Sequence, residues 1–242
     1  MRRMKARVPH RWDVSPREAA ALQVELRHRM KRQNDLGTVR TVAGADISLD
    51  KDRNMGYAGV IVYSFPDLRE VERASAERRL TFPYVPGLLA FREGPVLLEA
   101  FSRLRTTPDL LLFDAHGYSH PRRFGLASHL SVVLDQPGIG VAKSRLIGDH
   151  QDPPDRVGAW TPLVDGEEVV GAVVRTRVGV HPIFVSIGHR IDLETAIRIA
   201  LACTDGFRIP KPTREADRYV AQLKRGLALE QTPSSSRPSS LF

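Results

Sequence analysis

The chain has 242 residues, 42% of them hydrophobic, a formal net charge of +8 and a single cysteine, Cys203. That length and apolar content suit one α/β domain with a sizeable core, and a lone cysteine excludes an internal disulfide or a multi-cysteine zinc site. No apolar run approaches the roughly twenty residues of a membrane helix, and the basic N-terminus lacks an apolar signal core, so a cytoplasmic protein without membrane contact is expected.

Charge is spread unevenly. Residues 1–40 carry 11 Lys/Arg against 4 Asp/Glu, and residues 1–14 form a basic arm through Arg2, Arg3, Lys5, Arg7 and Arg11. Such an arm is either a solvated tail or a phosphate contact, because clustered cations release counterions from nucleic acid. Ser15-Pro-Arg-Glu18 reads as a capping box with proline at the first helical position. Ala19, Leu22, Leu26 and Met30 then share one face of a helix reaching about residue 32. Strands follow near 39–49, 57–65 and 69–80, the last solvated on one face. Gly94-Pro95 opens a helix with Val96, Leu97, Ala100, Phe101 and Leu104 on its apolar positions. Next come a strand over Leu110–Phe113, a helix from about Gly125 to Asp135, and a short buried strand over 138–143. Segments 168–177 and 183–187 read as strands, Asp192 caps a helix running to Cys203, and a last helix spans 212 to about 224. The structured domain covers residues 15–227, and residues 228–242, Ser- and Pro-rich, form a disordered tail.

Two acids lie within or at the end of apolar strands, and the carboxyl end is where open α/β sheets place their chemistry. Asp114 closes the apolar run Leu110–Phe113, and Asp46 lies within Val39-Arg-Thr-Val-Ala-Gly-Ala-Asp-Ile-Ser48. Either acid alone is most simply a turn cap. Two of them, each costly to bury without a cation, point to an oxygen-ligand centre suited to Mg²⁺ or Mn²⁺. His116 and His120 have a zinc-like spacing, but Gly117 and Pro121 deny them a helix. His120, ahead of Pro121-Arg122-Arg123, fits a phosphate contact or a proton relay, while His129 and His189 fit ordinary structural hydrogen bonds. Gly138-Ile-Gly-Val-Ala-Lys-Ser144 lacks the Gly-Lys-Ser/Thr ending of a triphosphate loop and reads as a strand. Phe82-Pro-Tyr-Val-Pro-Gly87 is a loop stiffened by two prolines that hold Tyr84 extended.

Six blocks, in order, carry a resemblance: Val42–Ser48, Phe82–Pro95, Phe113–His129, Gly140–Lys143, Ser186–Ile191 and Pro212–Arg218. Together they are similar to the endonuclease V family, nucleases of deaminated bases, over about residues 15–225. The resemblance implies a ribonuclease H-like mixed β-sheet flanked by helices. It further implies a Mg²⁺-dependent endonuclease, with Mn²⁺ substituting, that recognises inosine in DNA. The enzyme would act as a monomer and cut the second phosphodiester on the 3′ side to leave a 3′-hydroxyl and a 5′-phosphate. Asp46 and Asp114 are then direct metal ligands, Glu93 a third acid and Asp217 a fourth. Lys143 contacts the scissile phosphate, and His120 joins the catalytic group. Tyr84 becomes a wedge that fills the gap left by a flipped nucleotide. Pro86, Gly87, Leu89, Ala115, Gly117, Arg122 and Leu146 become contacts to the base and DNA. Two positions depart from the family pattern: Ala115 stands where glycine is common, beside the base pocket, and Gly138 where threonine is common. An endoribonuclease acting on inosine in RNA, a junction or hybrid nuclease, and a non-catalytic binding module are the alternatives.

Overall fold

β1 (Thr41–Asp50) and β2 (Met55–Ser64) pair antiparallel over ten residues each, and β3 (Glu70–Arg79) extends them into a meander. A computed structural model of the chain describes residue 4 and residues 6–226. On the other side of β1, β4 (Leu110–Phe113) pairs parallel to it, and β5 (Gly138–Ala142) pairs parallel to β4. β6 (Trp160–Asp165), β7 (Glu168–Val174) and β8 (Ile183–His189) complete an eight-stranded mixed sheet of order β3-β2-β1-β4-β5-β8-β7-β6. The α/β, ribonuclease H-like expectation therefore holds.

The two-residue period of a strand divides the core in two. Ala43, Ala45, Ala58, Val60, Leu111 and Phe113 face a layer that includes α2 (Leu89–Ser102) and α3 (Leu126–Leu134), with Leu97, Phe101 and Leu130 fully buried there. Val42, Ile61, Leu110 and Leu112 face the opposite layer, with α4 (Leu193–Ala202) and α5 (Lys211–Lys224). The capping box is present: Ser15 and Glu18 satisfy each other's backbone at the start of α1 (Pro16–Leu26). Described residues of the basic arm lie against this frame. The Arg7 N–H reaches the Val133 carbonyl at 2.7 Å, and Trp12 stacks on the buried His129 ring.

The structure corrects two boundaries and adds one strand. The first helix ends at Leu26 and passes into a single 3₁₀ turn, Arg27–Arg29, short of residue 32. The helix read as starting at Pro95 begins at Leu89, so Pro95 sits inside it and Glu93 lies in its second turn. A proline there forfeits one backbone bond, and burial of Phe91, Val96, Leu97 and Phe101 holds the helix through it. β6 was not anticipated, because Pro162 breaks its pattern; it is an edge strand, where a missing N–H is tolerated. The predicted disordered tail, 228–242, lies outside the described residues.

Candidate active site

Register alone brings the first two acids together. In the parallel pair β1–β4, Ala45 stands opposite Phe113. Asp46 and Asp114 are the next residues along each strand direction, on the same face. The third acid arrives with α5. Gly44 lets this helix lie on the sheet, since a Cβ there would be 2.0 Å from the Pro212 carbonyl; a Cβ at Gly59 would be 2.6 Å from the Tyr219 ring. One turn into the seated helix, Asp217 faces the other two. One carboxylate oxygen from each of Asp46, Asp114 and Asp217 lies within 4.8 Å of the others.

The electrostatics of this group suit a cation. Burial and the neighbouring Asp114 raise the Asp46 carboxyl to about 8. Burial, then Asp46, raises Glu93 to about 8. Asp114 is raised by burial, against the opposing pull of Lys143. Lys143 follows β5 and reaches back to 2.5 Å from Asp114 and 3.0 Å from Asp217. Burial opposes its charge, but those two acids outweigh burial and hold the ammonium firmly protonated. Carboxylates that cannot all ionise in isolation, with only oxygen donors, are the ligand set of a hard divalent cation. Glu93 belongs to the neighbourhood but not to the cluster. It is 7% exposed, coupled to Asp46 and Asp114, and outside the 4.8 Å group.

A cavity of about 390 Å³ opens beside the acids and shares Asp114 and Lys143 with them. Of the side chains singled out in the sequence, Tyr84, Pro86, Gly87, Leu89, Ala115, His120 and Leu146 line it. Tyr84 stands at its mouth, 69% exposed. The loop behind Tyr84 is anchored at both ends. Phe82 is buried against Phe91, and its carbonyl accepts from Arg92 at 2.5 Å. At the other end the Gly87 carbonyl accepts three bonds: from Gln23 Nε2 at 3.0 Å, His120 Nε2 at 3.0 Å and Arg122 Nη2 at 2.7 Å. Gly87 has φ +78°, and a Cβ on it would stand 2.8 Å from Arg122.

His120 and Arg122 thus grip the loop. The Arg122 N–H donates to His120 Nδ1 at 3.2 Å, so the ring proton sits on Nε2, facing Gly87. Burial, then Arg122, lowers this histidine to about 4. Arg122 and Gly117 do not line the cavity. Gly117 is wedged against β8, where a Cβ would meet the Ile187 carbonyl at 2.2 Å, and its N–H donates to Ser186. Gly138 packs against Ser131, whose hydroxyl a Cβ would strike at 1.9 Å, so the two positions are matched.

Sequence reasoning missed Gln23. It is fully buried, donates to the Gly87 and Phe124 carbonyls and accepts from Arg122 Nε at 2.6 Å. Its signal was a polar residue on the Ala19–Leu26 stripe of α1, where an amide buried among apolar neighbours needs partners. Leu126 and Ser144 also line the cavity without having been singled out, and so does His116, which the sequence raised only as half of a zinc-like pair.

Acids gathered from two central strands of a mixed sheet and from a helix seated on it, beside a cavity guarded by an aromatic loop, define a nuclease of the ribonuclease H-like class. The family profile of endonuclease V matches residues 22–218. An endonuclease V from Roseiflexus sp. is 52% identical over 206 residues, 85% of this chain and 92% of that protein. The crystal structure of endonuclease V from Streptomyces avermitilis superposes with a TM-score of 0.85 at 42% identity, covering 93% of this chain and all of that one. An endonuclease V of Ciona intestinalis, solved with a 23mer DNA containing an inosine followed by a ribo-adenosine, aligns at 30% identity and a TM-score of 0.77, over 89% of this chain and 100% of that one. The chain belongs to the endonuclease V family.

Proposed function

We propose that this protein is an inosine-directed endonuclease acting in DNA repair. It cuts the second phosphodiester on the 3′ side of deoxyinosine and leaves a 3′-hydroxyl and a 5′-phosphate. The observation that carries this reading is the shared wall: Asp114 of the acid cluster, and Lys143 paired with it, also line the cavity behind Tyr84. A base held in that cavity keeps its own strand beside the acids. The inosine-containing DNA bound by the Ciona relative supports the same substrate.

The residues divide the work. Tyr84, exposed on a loop pinned at Phe82 and Gly87, fills the stack as the nucleotide leaves it. Because the loop is already fixed, its insertion costs little ordering entropy. Hypoxanthine presents an O6 acceptor and an N1–H donor. Leu89 and Ala90 line the cavity from the first turn of α2, where a helix leaves N–H donors unpaired, and these are the donors we assign to O6. Adenine would place an amine donor against them, leaving buried donors unpaired at about 1–3 kcal/mol each. Ala115 adds a methyl to the wall and narrows the cavity.

Asp46, Asp114 and Asp217 would hold Mg²⁺, or Mn²⁺ in its place, with the buried Glu93 beside them binding the metal or its waters. Bound there, a divalent cation supplies Lewis-acid stabilisation of the charge that develops on the phosphate. Lys143 brings a permanently protonated ammonium to the same phosphate. His120, neutral and held at both ring nitrogens, keeps the Gly87 loop in place. A side-by-side cleavage assay on deoxyinosine duplex, inosine RNA and matched adenine duplex tests the reading. One displaced end-labelled product from the deoxyinosine duplex is expected, and none from the adenine control. Equal cutting of those two duplexes would refute the inosine pocket.

A further inference from the structure

A second hollow, of about 310 Å³, also has Lys143 in its wall. The strand order β4-β5-β8 separates the two. The base cavity lies on the β4 side of Lys143, against Asp114. The second hollow lies on the β8 side, against His181 and Pro182, which lead into β8, and Phe184 within it. Its floor is fixed by one guanidinium. Arg208 donates to the carbonyls of Lys143 at 2.6 Å, Pro182 at 2.9 Å and His181 at 2.8 Å. Arg208 therefore ties the backbone that carries Lys143 to the backbone that carries His181, and adds a positive charge beneath both. His150 stands edge-on to Phe184 with ring centroids 5.4 Å apart, closing the opposite wall. The His181 ring is exposed and makes no hydrogen bond among the described residues. The lining has one acid, Asp152, on the rim with its side chain 77% exposed.

We propose that this hollow is a subsite for the sugar–phosphate unit that follows the cut bond, with His181 the contact to its phosphate. The chemistry selects an anion: Arg208 and two imidazoles surround a space open to solvent against a single rim carboxylate, and Lys143, shared with Asp114 and Asp217, forms its far wall. The geometry selects the strand segment. A chain whose base occupies the cavity on the β4 side, and whose scissile phosphate meets Lys143, continues on the β8 side. This rests on the reading that cleavage falls 3′ of a base held in the cavity. The subsite then also holds the 5′-phosphate product strand after the cut, so its grip bears on product release as well as on capture.

The test uses the full-length protein and two inosine duplexes. One is unmodified. In the other, the phosphate one nucleotide beyond the cut bond is an uncharged methylphosphonate. The unaltered protein is expected to lose roughly tenfold in kcat/KM on the neutral substrate, the size of one hydrogen bond to a charged group. His181→Ala, an exposed change, is expected to lose a similar factor on the unmodified duplex, in KM rather than in single-turnover rate, and almost nothing further on the methylphosphonate. Equal losses by His181→Ala on both substrates, or no loss on either, would overturn the subsite while leaving inosine cleavage intact. Failure of the unaltered protein to prefer inosine over adenine would overturn the reading beneath it, and that control precedes any variant.

Discussion

Lys143 Nζ lies 2.5 Å from Asp114 Oδ2, close enough for the ammonium to occupy charge that a metal ion would otherwise claim. Asp217 holds the same ammonium at 3.0 Å. In this arrangement a cation held by these acids would compete with the lysine for two carboxylates, leaving the ammonium to face a substrate phosphate. Lys143→Met should therefore tighten Mg²⁺ binding while lowering the single-turnover rate roughly 10²–10³-fold, the cost of losing one preorganised donor. Calorimetric titration with Mg²⁺ alongside rapid-quench cleavage separates the effects. Weaker metal binding by the variant would contradict the competition.

Removing one acid charge strikes at the centre itself. Asp46→Asn or Asp114→Asn should lower Mg²⁺-dependent cutting by roughly three orders of magnitude, since a metal contributes several kcal/mol to the charged transition state. Binding to an inosine duplex should survive, because shape is kept. Near-normal turnover by either variant would remove that residue from the metal centre.

The raised carboxyl of Asp46 makes a prediction about pH. Its folded value of about 8 lies above the ordinary carboxylate range. The folded state thus holds the proton more tightly than the unfolded state, and stability from this group is present at low pH and lost as pH rises toward 8. The lowered values of His116 and His120 work in the opposite direction below neutrality, so the comparison must be between variants. Without metal, Asp46→Asn should match the unaltered protein in Tm near pH 4 and exceed it increasingly up to about pH 8.5, the far side of that titration. A gap that does not widen with pH would mean that Asp46 is not strained by its neighbours.

Tyr84 offers the cleanest separation of binding from folding, because it is 69% exposed. Tyr84→Ala should weaken lesion-duplex binding by roughly 1–3 kcal/mol, the worth of one base–aromatic stack, with Tm unchanged. Unaltered affinity and cleavage would show the ring to be idle at the mouth of the cavity.

Behind that ring, Gln23 couples loop position to pocket shape. Gln23→Leu leaves the Gly87 and Phe124 carbonyls each short of a donor and Arg122 short of an acceptor. A stability loss of about 1–3 kcal/mol is expected, together with a raised KM for inosine duplex. Gln23→Glu restores only the Arg122 partner, so it should recover part of the stability and little of the KM. Denaturant melts and steady-state kinetics on the two variants check the split.

Much of this was legible in the chain. Asp114 ends a four-residue apolar run and Asp46 interrupts another, so their placement on the strands followed from local pattern. The Tyr84 loop announced itself through its prolines. Glu93 was harder: Pro95 suggested a helix start, whereas burial of Phe91 and its neighbours extends the helix back to Leu89. Nothing local marks Asp217. Its place depends on Gly44 and Gly59 admitting α5 to the sheet, a contact between segments far apart in the chain. Arg122 and His120 read as groups aimed at the substrate because their donors look free in sequence. Only the fold reveals a carbonyl at Gly87 that takes both.

The seating of α5 on Gly44 also fixes when the acid cluster can form. Residues 46 and 114 emerge early in synthesis, but the third carboxylate waits for residue 217 to leave the ribosome and for its helix to dock. A nascent chain therefore presents two acids and an open sheet face, without the completed cluster. The three carboxylates stand together only once α5 has closed on the sheet.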